Sequence, residues 1–358
     1  MKKLILALFT LIILVLLGAG GLFYWMNNVM FTKIAHGKSN QYIQIPKGST
    51  PNEIVDKLAA EGIINNAFVV KNYIRFLGDG SKIKAGEYQF DSPISPIMVL
   101  QELEKGEERT SKLTIPEGFT RFDIAKRLAE KFPQTPPMDD KAVLALMDDT
   151  SLIKDIDPTA KNLEGFMYPS TYSFPKDVKM QDVIKKMVEQ FKKIWTADRF
   201  LKAQQMGKSA HEIITIASLI ETESKFDGER QIVASVIYNR LNKGIALGID
   251  QTAVYIAKME GRWDGTINKS DLESNSPYNT RKFAGLPPGP ISSISESSID
   301  AALNPKQTDY IFYVLNVEKN DGSHNFYSSA AEFEKGKAAY QVWLEQQRAK
   351  KREENGNN

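Results

Sequence analysis

The residues best suited to chemistry close an apolar segment. Residues 213–220 read Ile-Ile-Thr-Ile-Ala-Ser-Leu-Ile, and Glu221-Thr222-Glu223-Ser224 follows at once. Two carboxylates at the end of a buried helix are costly unless they are paired or protonated. The helix macrodipole also disfavours negative charge at a C-terminus. Both effects raise a carboxyl pKa, which suits a general acid working near neutral pH. On a helical wheel Glu221 and Glu223 both flank the apolar stripe, so periodicity leaves open which one reacts and whether both are simply solvated.

A second constellation is polar, aromatic and stiffened by proline and glycine. It runs from Asn239-Arg240 through Asp250-Gln251-Thr252 to Tyr255, then Ser276-Pro277-Tyr278-Asn279-Thr280 and Gly285-Leu286-Pro287-Pro288-Gly289-Pro290-Ile291. Amides can hydrogen-bond sugar hydroxyls and acetamides, and aromatic faces cover pyranose rings. The same loops could merely join helices. Leu163-Glu164-Gly165-Phe166-Met167-Tyr168-Pro169 adds another acid in an aromatic-rich loop.

Other chemistries are absent from the 358 residues. There is no cysteine, hence no disulfide, thiolate zinc site, cysteine nucleophile or lipid-bearing cysteine. The histidines are His36, His211 and His324, and His211-Glu212 lacks the second histidine of a zinc-protease helix. Gly78-Asp79-Gly80-Ser81-Lys82 lacks P-loop spacing, and no serine sits in a nucleophile elbow. Neither a metal nor another cofactor is expected. A formal charge of +2, from 46 basic and 44 acidic residues, gives no reason to expect nucleic acid.

These residues need elements to position them. After Lys2-Lys3 the chain carries no charge over residues 4–25. As a helix that run spans roughly 33 Å, enough for the hydrocarbon core of a bilayer. It exceeds the apolar core of a cleaved signal peptide, the competing reading. A membrane anchor is expected over residues 1–26, with the N-terminus cytoplasmic and the remainder across the membrane.

The next segment repeats itself at an offset of 70 residues. Ile45-Pro46-Lys47-Gly48-Ser49-Thr50 is echoed by Ile115-Pro116-Glu117-Gly118-Phe119-Thr120. Glu53 and Asp123 stand three residues beyond the threonines, as capping boxes require. Each copy predicts a strand, a turn and an amphipathic helix, a unit that resembles the glycan-binding LysM fold. A LysM-like α/β region is expected over residues 40–134, with a merely recurrent capped helix as the alternative, and residues 135–160, with Pro136, Pro137, Asp139 and Asp140, read as a boundary.

An α+β catalytic domain is expected over residues 160–347. Helices are predicted at 180–195, 210–224 and 228–242, and a hairpin pairs 310–317 with 324–327 around Asn320-Asp321-Gly322. A last helix begins at Ser329, with Glu332 completing its capping box, and should bury Phe333, Tyr340, Trp343 and Leu344. The polar tail, 348–358, is expected to fray.

The order of the blocks 163–174, 216–224, 233–241, 250–255, 277–280 and 285–291 resembles the endolytic murein transglycosylases of the YceG-like family. The likeness covers nearly the whole chain. It implies a lyase that cuts the bond between N-acetylmuramic acid and N-acetylglucosamine within peptidoglycan, leaving a 1,6-anhydro end. It also implies placement in the bacterial inner membrane, with peptidoglycan synthases or division proteins as further partners. The family's catalytic acid falls on Glu223, and the Glu223-Ser224 pair is similar to the Glu-Ser of other lytic transglycosylases. Thr222 departs from the basic residue that often separates the two acids in the family. Glu164, Glu221, Ser224, Asn239, Asp250, Gln251, Tyr255, Tyr278, Asn279, Thr280 and His324 are the expected substrate-positioning residues. A non-catalytic glycan-binding anchor and a muramidase that hydrolyses the same bond are the alternatives.

Overall fold

Both copies of the repeat form the expected strand or extended segment, turn and capped helix, but they belong to different parts of the molecule. The structure, a computed structural model, describes residues 2–106, 110–175 and 178–356. It divides into two compact units, Met1–Ser111 and Lys112–Asn358. The cut falls between the copies, so residues 40–134 do not form one subdomain.

In the first unit, helix α1 (Lys2–Phe31) carries the apolar run and ends in a core. Its stretch Leu8–Phe31 is long and apolar enough to cross a membrane. The large apolar side chains from Leu8 to Trp25 are exposed, whereas Met30 is buried among the unit's own residues. The helix therefore runs past the expected end at residue 26. Strand β1 (Ile43–Ile45) pairs antiparallel with β2 (Gly86–Tyr88), Ile43 opposite Tyr88. Helices α2 (Pro51–Ala60), α3 (Ala67–Phe76) and α4 (Pro96–Lys105) complete the unit. Ile45, Val55, Leu58, Val70 and Leu103 share its core.

Helix α2 begins at a closed capping box. Thr50 Oγ1 accepts the Glu53 N–H, and the Glu53 carboxylate accepts the Thr50 N–H. Gly48 before it has φ +85°, and its counterpart Gly118 has φ +75°. Both turns use the left-handed region that glycine enters without a Cβ penalty, which is why glycine recurs at this position.

The second copy is built into the second unit. Strand β3 (Thr110–Thr114) straddles the division and pairs with β4 (Thr171–Pro175) as a two-stranded sheet. Between them lie α5 (Arg121–Lys131), with its own capping box from Thr120 and Asp123, and α6 (Asp140–Met147). Residues 135–160 are no boundary: Val143, Met147 and Ile153 are buried in the same core as Ile115, Ile124 and Leu128. Their proline-rich start made them resemble a linker, but the Asp139-capped helix that follows has an apolar face and buries it.

Six helices follow β4 in the second unit. They are α7 (Met180–Ile194), α8 (Ala197–Gln205), α9 (Ala210–Glu223), α10 (Asp227–Asn242), α11 (Gln251–Met259) and the short α12 (Lys269–Leu272). Helix α13 (Glu296–Leu303), the hairpin β5 (Phe312–Leu315) and β6 (His324–Tyr327), and α14 (Ala330–Gly356) follow. Helix α9 is central, packing on α8, α10, α11 and α13. Residues 213–220 are all buried, as expected of a helix apolar on every side.

The last helix differs from expectation. Ser329 and Glu332 do bond across its start. Phe333, Tyr340, Trp343 and Leu344, however, are half-buried rather than buried. Phe333 stacks on Phe312 with centroids 4.7 Å apart, so this face covers the outside of the hairpin instead of entering the core. The helix also continues to Gly356, through most of the tail expected to fray.

Candidate functional site

The end of α9 separates its two acids completely. The helix stops because Ser224 takes an extended conformation, φ −119° and ψ 125°, while its N–H still bonds to Ile220 O. The Ser224 hydroxyl donates to Phe226 O at 3.0 Å and is buried, fixing the short turn into α10. Ser224 thus braces the backbone that carries Glu223.

Glu221 points into the fold. Its side chain is 3 % exposed. One carboxylate oxygen faces Arg230 Nη2 at 3.2 Å; the other accepts the Ser295 N–H at 2.8 Å and the Ser295 hydroxyl at 2.5 Å. Arg230 Nη1 also donates to Ser295 and Ser297, and Arg230 pairs with Asp227 at 3.1 Å. Ser295 is the N-cap of α13. Glu221 therefore ties α9 to α10 and to the start of α13, and neither oxygen is left for a sugar.

Glu223 faces the opposite way and is half-buried. Its Oε2 accepts the Tyr313 hydroxyl from β5 at 2.6 Å. Burial raises its pKa above the ordinary glutamate value, and the negative charge of Asp250 adds to that. The Tyr313 hydrogen bond, the His324 imidazole and the positive charge of Arg240 pull the other way without cancelling the rise. The carboxyl is thus biased toward its protonated form while one oxygen keeps a fixed donor.

Two of the expected residues join this acid. Asp250 stands at the N-cap of α11, half of its side chain exposed, and pairs with Arg281. His324 lies on β6, with Nδ1 2.9 Å from Glu229, which also accepts the His324 N–H at 2.9 Å. Gln251, the first residue of α11, is half-buried beside Asp250.

The others hold the loops. Asn239 donates to Thr308 O at 2.8 Å and Tyr310 O at 2.9 Å, fastening the approach to the hairpin. Thr280 lies 3.1 Å from the Thr252 hydroxyl and accepts the Ile249 N–H at 3.0 Å. Asn279 is wholly buried and donates to Leu272 O and Ser274 O. Amides and hydroxyls suited to sugars are equally suited to closing irregular loops, and composition could not separate the two uses.

Glu164 sits in a different cluster. It is 2 % exposed, and both its oxygens accept the Arg121 N–H, at 3.1 and 2.9 Å. It thereby caps α5, together with Thr120. Burial pushes its pKa up to about 7, despite the Arg121 bonds and a further bond to Tyr255. Tyr255 is itself buried, its ring 5.0 Å from that of half-buried Tyr278.

Sequence reasoning missed Tyr313 and Glu229 altogether and named Arg240 only as the neighbour of Asn239. Arg240 Nε donates to Ile311 O at 2.6 Å, and its Nη1 reaches Ala246 O and Leu247 O. Tyr313 is 90 residues from Glu223 in a short strand of four half-buried residues, so no local spacing marks it. Among the described residues, no group of three or more His, Asp or Glu side chains is arranged to hold a metal ion.

Fold and site define an α+β protein that carries a pKa-raised carboxyl on a fixed helix end. The chain belongs to the YceG-like family, whose profile matches residues 43–339. It is 31% identical over 338 residues to a Bacillus subtilis protein named endolytic murein transglycosylase, covering 90% of each chain. A Streptococcus pneumoniae protein of the same name is 28% identical over 86% of this chain, which spans 60% of that longer relative. A crystal structure of a YceG-like protein from Listeria monocytogenes is similar with a TM-score of 0.56 and 33% identity. That match covers 82% of this chain and 97% of the Listeria chain.

Proposed function

We propose that this protein is an endolytic murein transglycosylase and that Glu223 is its catalytic acid and base. The observation that carries the reading is the contrast at the end of α9. Glu221 is engaged through both oxygens, whereas Glu223 has a raised pKa and Tyr313 as its one hydrogen-bond partner among the described residues. Family membership and two relatives of that name supply the substrate class.

Protonated Glu223 donates to the glycosidic oxygen as oxocarbenium character develops at C1 of N-acetylmuramic acid. The resulting carboxylate then takes the proton of the same sugar's C6 hydroxyl, which closes on C1 to give the 1,6-anhydro ring. The nucleophile is part of the substrate, so its effective concentration is high and no water is consumed. Asp250 and His324 act on the acid, and with Gln251, the neighbour of Asp250, they are the residues proposed to touch the sugars. The LysM-like reading of the strand–turn–helix copies adds a further proposed contact with glycan.

Helix α1 anchors the protein in the cytoplasmic membrane, with Lys2 and Lys3 inside and the rest outside, where the glycan is. Peptidoglycan synthases or division proteins are proposed neighbours there. A hydrolytic muramidase is the second reading, because Asp250 is a further carboxylate close enough to act on Glu223 electrostatically. Digestion of defined glycan strands followed by mass spectrometry separates the readings. Transglycosylation gives anhydro ends; hydrolysis gives reducing ends about 18 Da heavier, the mass of one water. Reducing ends alone would sink the transglycosylase reading, and an intact substrate would leave a glycan-binding anchor.

A further inference from the structure

The hairpin is fastened to α10 by three of its side chains. Glu229 takes the His324 N–H and faces its ring nitrogen; Asn239 holds Thr308 O and Tyr310 O; Arg240 holds Ile311 O. Helix α10 is joined to the end of α9 through the braced turn at Ser224. The acid and the strand opposite it are therefore mounted on one frame. On that strand, Tyr313 is steadied by the His324 ring, which meets it edge-on at 5.4 Å.

We infer that Tyr313 is a positioning residue for Glu223, with its hydroxyl holding Oε2 so that Oε1 carries the reacting proton. A phenol has one proton to donate. Oε2 can accept it when Oε1 is protonated and also when the carboxylate is bare, so the bond persists as the proton leaves and returns. A donor that need not rearrange during reaction is preorganised. Tyr313 stays a donor throughout, because burial and the neighbouring Glu223 charge push its own ionisation well above the usual tyrosine range. The other titratable groups facing Glu223 are Asp250 from the start of α11, Arg240 from α10 and His324 from β6. Tyr313 alone among these makes a hydrogen bond to Glu223 among the described residues.

The inference rests on Glu223 being the acid, and the test keeps the two apart. Cleavage of defined glycan strands by the full chain is followed against pH for wild type, Tyr313→Phe, Glu223→Gln and protein carrying 3-fluorotyrosine at position 313. Removing the hydroxyl takes away a bond that favours the carboxylate. Tyr313→Phe should therefore move the alkaline limb of kcat/KM up by about one pH unit and lower kcat roughly tenfold or more. KM should stay within about twofold, since no substrate contact is removed. Fluorination strengthens the donor and keeps the ring contacts, so the limb should move down in pH. Opposite shifts support the inference. Identical limbs in wild type and the 3-fluorotyrosine protein would overturn it, even if Tyr313→Phe fails to fold. Should Glu223→Gln remain fully active, the underlying reading fails as well. An inactive Glu223→Gln with unmoved limbs removes only the role of Tyr313.

Discussion

The two sides of the last turn of α9 hold one carboxylate each and are built in opposite ways. On one side Glu221 meets a guanidinium, a hydroxyl and a backbone N–H, and is removed from solvent. On the other, Glu223 meets a phenol and lies half-buried, with its surroundings favouring the proton. Two residues of helix separate a structural acid from the proposed catalytic one. The difference lies in what each meets across the fold, since the backbone and residue type are the same. A carboxylate engaged through both oxygens has none left for a substrate, whereas one held by a single donor and pushed toward its protonated form can donate a proton.

The sharpest way to break this comparison is to neutralise each acid in turn. Glu223→Gln should lower glycan cleavage by about 10²–10⁴-fold, the usual share of proton transfer, with the unfolding midpoint unchanged. Loss of fold in that variant would show that Glu223 is structural too. Glu221→Gln should act on stability instead. Removing one partner of a buried ion pair costs about 3–5 kcal/mol, measurable as a lower urea midpoint of the second unit. An unchanged midpoint would mean that Arg230 and Ser295 close up without it.

A third carboxylate extends the contrast to pH. Glu164 is buried like Glu221 but has its pKa raised to about 7. The folded state therefore holds the proton more tightly than the unfolded chain, whose glutamate titrates near its ordinary value. Between those two values the unfolded chain binds fewer protons, so stability falls as pH rises, by about 3 kcal/mol in total. Glu164→Gln should flatten that part of the stability–pH curve; a curve of unchanged slope would assign it to another group. The smallest effect belongs to the caps. Thr120→Ala and Thr50→Ala should each cost about 1 kcal/mol, the first in the second unit and the second in the first unit. Hydrogen exchange can localise both, and protection lost in the same unit for both variants would contradict the division between the copies.

Much of this was legible from local pattern. The capped helices, the hairpin and the apolar helix with its terminal acids follow from side-chain periodicity and cap chemistry, which act over a few residues. Of the proposed site, the sequence marked the acid, Asp250 and His324. Glu221, Ser224, Asn239, Asn279 and Thr280 have the residue types of a sugar cleft, yet they satisfy backbone groups, Ser224 and Asn279 within their own loops and Glu221, Asn239 and Thr280 on elements far along the chain. Tyr313 had no signal of its own. Its bond depends on how a strand docks 90 residues downstream of the acid, and one-dimensional spacing does not carry that information. The repeat misled for a related reason. Similar motifs share their local physics, while membership of a core is decided by the partners each apolar face meets.

The division between the copies sets where the chain can be cut. Leu113, Ile115, Ile124, Leu128 and Phe132 are core residues of the second unit. Glu117 faces Arg230 from the same segment. A fragment begun at residue 135, after the apparent repeat region, would lack these side chains and the strand that pairs with β4. One begun at Lys112 would keep the apolar side chains intact. Dissection by visible sequence repeats would thus amputate part of the unit that holds Glu223, whereas dissection by shared core would leave it whole.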